Sequence, residues 1–254
     1  HMPQMYQTKN KFYSIKSPDI TMNSRILIND LYGAAVSRGL ATITGEEVIK
    51  IKKNKGIVSV VTSKSTFTSK NVVICSPDVV AEHYNTPLNI GYAPMAVVDN
   101  LSNDVNSFVE LDYNIKTCIN LIKKGNGIGQ LGGITVENEH EVKPYLNYII
   151  SEHKKRNPGI RIVDTYVGIK KEVKFKGQNR NYLYHINQQS DRVWSIVLGK
   201  FTLAFSMAPE FFRRVFNKNP PKYMELGINV DRRNIISKTA WLEIMHNSEN
   251  WRSK

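Results

Sequence analysis

The spacing of apolar positions changes several times along the chain, and each change predicts an element. Residues 1–17 are polar and basic with no sustained period, the pattern of a tail or an edge segment. Pro18-Asp19-Ile20-Thr21-Met22-Asn23 then supplies helix-entry chemistry. Ile26, Leu27, Asp30, Leu31, Ala34 and Ala35 follow at helical spacing, and Gly39 stands where a glycine just past a helix end belongs. Beyond it the period drops to two. Val48, Ile49 and Ile51 predict a short strand, Asn54-Lys55-Gly56 a turn, and Ile57, Val58, Val60 and Val61 a second strand. Val72-Val73-Ile74, wholly apolar, predicts a third strand that is buried.

Residues 86–118 have the look of strands and loops, punctuated by Pro87 and Pro94. Val142, Tyr145, Leu146, Ile149, Ile150 and His153 share one helical face, predicting a helix from about Asn138 to Arg156 that Pro158-Gly159 ends. Residues 160–175 and 182–198 alternate as strands do. A third helix is expected from about Thr202 to Phe216 and a fourth from about Lys238 to Asn247. Helices interleaved with a meander and apolar strands point to an α/β class (an α+β mixed sheet) and not to a helical bundle. With no internal repeat or low-complexity linker, one unit with two lobes is the economical reading.

Composition narrows the classes. At 254 residues and 41% apolar content the chain can bury a core, and 22% charged residues is far from the signature of disorder. No apolar run approaches the roughly 18 residues of a membrane-spanning helix. His1-Met2 has the form of a cloning scar, and nothing after it resembles a signal peptide, so a soluble cytoplasmic protein is expected. Cys75 and Cys118 are too few for a disulfide framework or a structural zinc site, and Cys75, ending an apolar strand, is expected to be buried. Histidines 83, 140, 153, 185 and 246 lack ligand spacing, so no metal is expected.

Charge is lopsided. Thirty-five Lys+Arg against 22 Asp+Glu leave +13, which favours an anionic partner: nucleic acid, a phosphorylated metabolite, a dinucleotide or an acidic subunit. Lys50, Lys52, Lys53 and Lys55, and Lys170, Lys171, Lys174 and Lys176, are the candidate clusters. The abundance of Lys, Asn and Ile throughout is also what AT-rich coding produces, so a solvated basic surface without a dedicated partner stays open.

Two motifs carry candidate chemistry. Gly127-Ile128-Gly129-Gln130-Leu131-Gly132 satisfies G-x-G-x-x-G, which signals a dinucleotide site only between a strand and a helix. Here Gly133-Ile134-Thr135-Val136 follows, a poor helix start, and the expected acidic position falls inside the second helix. A glycine-rich bend between two strands fits better. The second motif is Gly199-Lys200-Phe201-Thr202, which follows the apolar strand Val193 to Leu198 and opens the third helix. A strand, a glycine and a helix N-terminus with a Thr hydroxyl can receive an electron-rich ligand atom. The alternative is an ordinary N-capped helix whose threonine serves only the backbone.

From about residue 18 to 216 the order of elements resembles the C-terminal two-thirds of FAD-dependent oxidoreductases of the D-amino-acid oxidase and glycerol-3-phosphate dehydrogenase type. The first helix ending in Ser37-Arg38-Gly39-Leu40, then Glu47-Val48, then the meander ending in Val72-Val73-Ile74 are similar to that family's helix, adenine-side strand and closing strand. Gly127 to Thr135 is similar to its glycine-bearing strand pair. Tyr166-Val167-Gly168-Ile169-Lys170 resembles its "Y-x-G-x-R" element, and Gly199-Lys200-Phe201-Thr202 with Met207-Ala208 its "G-G-K-x-T" turn.

The resemblance implies an FAD-dependent oxidation of a small anionic substrate, with hydride passing to the flavin. It implies that Gly199, Lys200, Phe201 and Thr202 face the pyrimidine end of the flavin, with Val48 on the adenine half, and that Tyr166, Lys170 and Arg180 hold the substrate. Residues 18–80 and 185–220 would form the remainder of an FAD-binding lobe and 81–184 a substrate lobe, after a tail at 1–17 and before a C-terminal extension at 221–254. The departures are as informative. Nothing before residue 18 could supply the family's dinucleotide-binding βαβ unit, its "A-x-G" is replaced by Cys75-Ser76-Pro77-Asp78, and Lys170 stands where arginine is usual, losing bidentate geometry. The cofactor lobe is therefore expected to be incomplete, with the missing unit on another segment or a companion chain. A non-catalytic basic module for nucleic acid or an acidic protein is the other open hypothesis.

Overall fold

Local signals set the helix ends as the sequence implies. The structure, a computed structural model, describes residues 4–7, 13–16, 21–112, 117–174, 184–221 and 236–252. Strands β1 (Gln4–Gln7) and β2 (Tyr13–Lys16) pair antiparallel, regular structure where the sequence shows no period. Helix α1 (Ser24–Ser37) begins at Asn23, whose side chain accepts from the amides of Arg25 and Ile26 at 3.1 and 3.3 Å. It ends in a Schellman motif: Leu40 N–H bonds Ala35 O and Gly39 N–H bonds Val36 O, both at 3.0 Å, with Gly39 at φ +90°.

Strands β3 (Val48–Asn54), β4 (Ile57–Thr62) and β5 (Thr66–Ser69) form the meander, with β3 at one edge. Strand β6 (Val72–Ile74) is only three residues long and lies at the edge of its sheet. Its expected burial is corrected: Ile74 is buried but Val73 is 40% exposed. Cys75 is likewise exposed, because the strand's alternation turns it outward as the chain leaves for helix α2 (Pro77–Tyr84).

Strands β7 (Leu88–Asp99), β8 (Phe108–Asp112), β9 (Thr117–Gly125) and β10 (Ile128–Gly133) precede helix α3 (Glu139–Arg156). At the start of α3 the Glu141 carboxylate accepts from the Asn138 amide at 2.9 Å. Strand β11 (Arg161–Val173) then completes a five-stranded antiparallel sheet in the order β11-β7-β10-β9-β8. Gly127 makes the β9–β10 turn at φ +70°, so the G-x-G-x-x-G run is a hairpin. Strands β12 (Tyr184–Ser190) and β13 (Val193–Leu198) pair antiparallel, and β13 pairs parallel with β6. After a 3-10 turn (Phe201–Leu203) come helices α4 (Ala204–Phe216) and α5 (Ala240–Arg252). The result is a mixed α/β fold of several sheets, and among the described residues none closes into a barrel. No described helix is long and apolar enough to cross a membrane.

Two apolar cores organise these elements. One gathers Ala96, Val98, Leu101, Ile119, Leu121 and Leu131 of the sheet region against Ile149 of α3. The other joins Val58, Ile74, Val80, Val173, Val193 and Val197. His153 is buried beside the first, its ring 5.5 Å from that of Phe108. Burial and the Arg156 guanidinium push its pKa down to about 4, against the opposing pull of the Asn120 carbonyl and Glu152. An unfolded chain takes up this proton near pH 6.5 and the folded chain not until about 4. Stability is therefore present above that window and lost as pH falls through it, by at most about 3 kcal/mol. Urea unfolding followed from pH 7 to 4 should show this fall, and His153→Gln should flatten it.

Candidate functional site

In an antiparallel sheet, directly paired residues project to the same face. Leu131 pairs with Ala96 and with Leu121, and all three point toward α3. Their neighbours point away from it. This distal face carries Asn120, Ile122 and Lys124 of β9, Gln130 and Gly132 of β10, Met95 and Val97 of β7, and Tyr166, Gly168 and Lys170 of β11. The face is tightly built at its centre: a Cβ on Gly132 would lie 2.7 Å from Met95 Sδ and 3.0 Å from Asn120 Oδ1.

Polar groups line the same surface. Gln130 Nε2 donates to Tyr166 Oη at 2.5 Å, fixing the phenol between β10 and β11. Burial pushes the Tyr166 pKa up, against the Gln130 donor, so the group stays a phenol at neutral pH. Lys170 Nζ lies 2.7 Å from Glu172 Oε1, two residues along the same strand and on the same face. Lys171 projects the other way and pairs with Asp78 of α2 at 2.6 Å, tying β11 to that helix. Asn120 Oδ1 is buried without a hydrogen-bond partner.

The Gly199 turn is the second cluster. Gly199 is buried, while Lys200, Phe201 and Thr202 are exposed, Phe201 by 44%. The expected helix start at Thr202 is corrected: Lys200 occupies the N-cap without a side-chain cap, Phe201–Leu203 form one 3-10 turn, and α4 starts at Ala204. Thr202 thus sits inside the turn, and its hydroxyl caps nothing. Leu203 N–H bonds Lys200 O at 3.1 Å and Ala204 N–H bonds Phe201 O. The amides of Phe201 and Thr202, in the first turn, have no intrahelical acceptor. They lie on an exposed segment.

Strand β11 links the clusters, since Val173 packs with Val193 and Val197 just before Gly199. At 3.3 Å per residue, Lys170 lies about 10 Å from Val173 along the strand. Val48 opens the edge strand β3, half-buried and paired with Thr62, so its backbone stands at a sheet edge. Arg180 lies outside the described residues. Sequence reasoning missed Gln130, Glu172, Asn120 and Lys124. A lone amide between Gly129 and Leu131 was the available signal for Gln130, and the i+2 spacing from Lys170 was the signal for Glu172.

The sequence matches no protein family and no curated protein. Solved structures do match. NikD, an unusual amino acid oxidase essential for nikkomycin biosynthesis, superposes in its open form with a TM-score of 0.57 at 11% identity, over 76% of this chain and 56% of that one. A single-residue variant of NikD gives 0.62 at 11%, over 87% and 64%. This chain therefore shares its fold with these oxidases. Iminodiacetate oxidase from Chelativorans sp. BNC1 superposes with a TM-score of 0.53 at 12% identity, over 75% of this chain and 53% of that one. An FAD dependent oxidoreductase from Pseudomonas aeruginosa gives 0.50 at 10%, over 79% and 59%. The chain thus spans little more than half the length of these oxidases. The hairpin at Gly127–Gly132 is the glycine-rich bend between two strands that the sequence context favours.

Proposed function

We propose that this chain forms the substrate face and the flavin-pyrimidine side of an FAD-dependent oxidoreductase acting on a small anionic substrate. The observation that carries this reading is the exposed turn after Gly199, whose first amides lack intrahelical acceptors and whose N-cap is a lysine. Such a turn fits an electron-rich ring edge. When bound, flavin supplies the hydride acceptor for a C–H bond next to nitrogen or oxygen. With Lys200 beside them, the backbone amides of Phe201 and Thr202 hold the ring edge, and the aligned dipoles of the turn and α4 favour negative charge there. Gly199, without a side chain, lets the ring approach. Val48 receives the adenine half at the β3 edge. On the distal face Tyr166, oriented by Gln130, and Lys170 orient the substrate.

The apolar residues that α1 exposes one turn apart, Ile28 at 39% and Leu31 at 51%, support the rest of this reading. They form a contact face for a dinucleotide-binding unit on a further segment or a companion chain. The test is the absorption spectrum of the purified full chain, alone and with added FAD. Weak flavin bands that grow as FAD is added, with FAD released on denaturation, are expected, because in this reading the dinucleotide-binding unit lies on a further segment or a companion chain. Lys200→Glu, which reverses charge at the turn, should weaken FAD binding about tenfold in a flavin-fluorescence titration without changing the melting temperature. A protein that stays colourless with FAD, yet binds duplex DNA with an affinity falling steeply with salt, would assign the basic-module function instead.

A further inference from the structure

We infer that Lys124 and Trp241 form an anion anchor on the distal face, a site for the carboxylate of a small organic acid whose apolar body lies against the indole. The Lys124 ammonium sits 5.2 Å from the centroid of the Trp241 ring. Lys124 is half-buried at the end of β9, and no carboxylate among the described residues pairs with it. Lys170, on the same face, already has Glu172 at 2.7 Å. Of these two lysines, then, the charge left uncompensated is Lys124. Burial pushes its pKa down, the mark of an ammonium short of solvation and of an anion. An incoming carboxylate supplies the missing partner as a charge-assisted bond.

The position of α5 completes the site. Through Trp241 the helix touches β9, and it also packs near β11, two strands that β7 and β10 separate. Three strand spacings amount to about 14 Å, within the roughly 20 Å length of a 13-residue helix. Helix α5, anchored by the buried Met245, is therefore long enough to reach from Lys124 toward β11. The pair offers an ammonium for the charged end of a ligand and an aromatic ring for its body. A single ammonium beside an indole suits a carboxylate better than a phosphate, which favours an arginine fork or several amides. This assignment rests on the flavoenzyme reading only in taking the bound acid as a substrate; the site itself needs no flavin.

The test uses the full chain without FAD, titrated with benzoate and with the neutral benzamide while tryptophan emission is followed. Benzoate should change the emission saturably, and benzamide should bind at least about tenfold more weakly. Lys124→Met and Lys124→Gln should each weaken benzoate about tenfold or more, and Lys124→Arg should restore most of the affinity. Lys64→Met, at an exposed lysine of the β4–β5 turn, should leave it within about twofold. Trp241→Phe should remove the emission change, with binding then read by calorimetry. Unaltered affinity in either neutral Lys124 variant, equal binding of benzamide, or no response of the parent protein to benzoate overturns the proposal. A chain that binds benzoate through Lys124 but never binds FAD overturns the flavoenzyme reading alone.

Discussion

Gly133→Ala is expected to cost about 3–5 kcal/mol of folding stability and to lower the melting temperature by about 10 °C. A Cβ there would lie 2.2 Å from Tyr145 Oη and 2.4 Å from the Cys118 carbonyl oxygen. That phenol is committed on both sides: it donates to Cys118 O at 2.5 Å and accepts from the Ile134 amide at 2.9 Å. A methyl group must push it out, taking one partner from the half-buried Ile134 amide and one from the Cys118 carbonyl. Gly39→Ala is the control, since its Cβ would meet nothing within 4 Å and only the φ of +90° is strained, at about 1 kcal/mol. Removing the hydroxyl relieves part of the clash, so Gly133→Ala with Tyr145→Phe should cost less than the sum of the single changes. Thermal unfolding followed by circular dichroism measures all four. Unchanged stability in Gly133→Ala, with loss of nucleotide binding instead, would return the glycine run to a phosphate loop.

Leu131→Ala should cost about 3–5 kcal/mol, read as the shift in urea midpoint. The side chain is fully buried between the sheet and Ile149 of α3. Its neighbours cannot move in to fill the space. Gly129 offers no side chain, and its position is already closed by Leu101, whose Cδ1 would lie 2.4 Å from an added Cβ. Ile149→Ala enlarges the same void from the helix side and falls in the same range, so the double variant should cost less than the two single costs together. A Leu131→Ala protein within 1 kcal/mol of the parent would mean that this core collapses freely. The effect matters for the site as well: Gln130 is the next residue of β10, so a loosened strand frees the amide that holds Tyr166.

What the sequence could tell depended on how local each signal was. Helix ends were legible because Asn23, Gly39, Asn138 and Glu141 act within a few residues of themselves. The α2 start was there to be seen in Ser76-Pro77-Asp78, a cap, a proline at the first position and an acid in the first turn. The family resemblance drew attention instead to the departure from "A-x-G". Strand β5 is short and exposed throughout, without an apolar alternation to mark it. A threonine three residues after a glycine resembles a cap, and the α4 start expected at about Thr202 shifts to Ala204 because the chain makes one 3-10 turn first. The substrate face was legible only in part. Tyr166 and Lys170 came from a short resemblance, but Lys124 meets Trp241 only because the sheet order and α5 bring distant segments together, which no local spacing encodes.

One strand pair runs through the whole molecule. Strand β7 places Ala96 and Val98 in the first core and Leu88 beside the second, and β11 runs from Ile162 beside the first to Val173 inside the second. The two strands act as a common beam under both halves. Nowhere along that beam can a single backbone cut release one half whole, because each half would carry away a staple of the other.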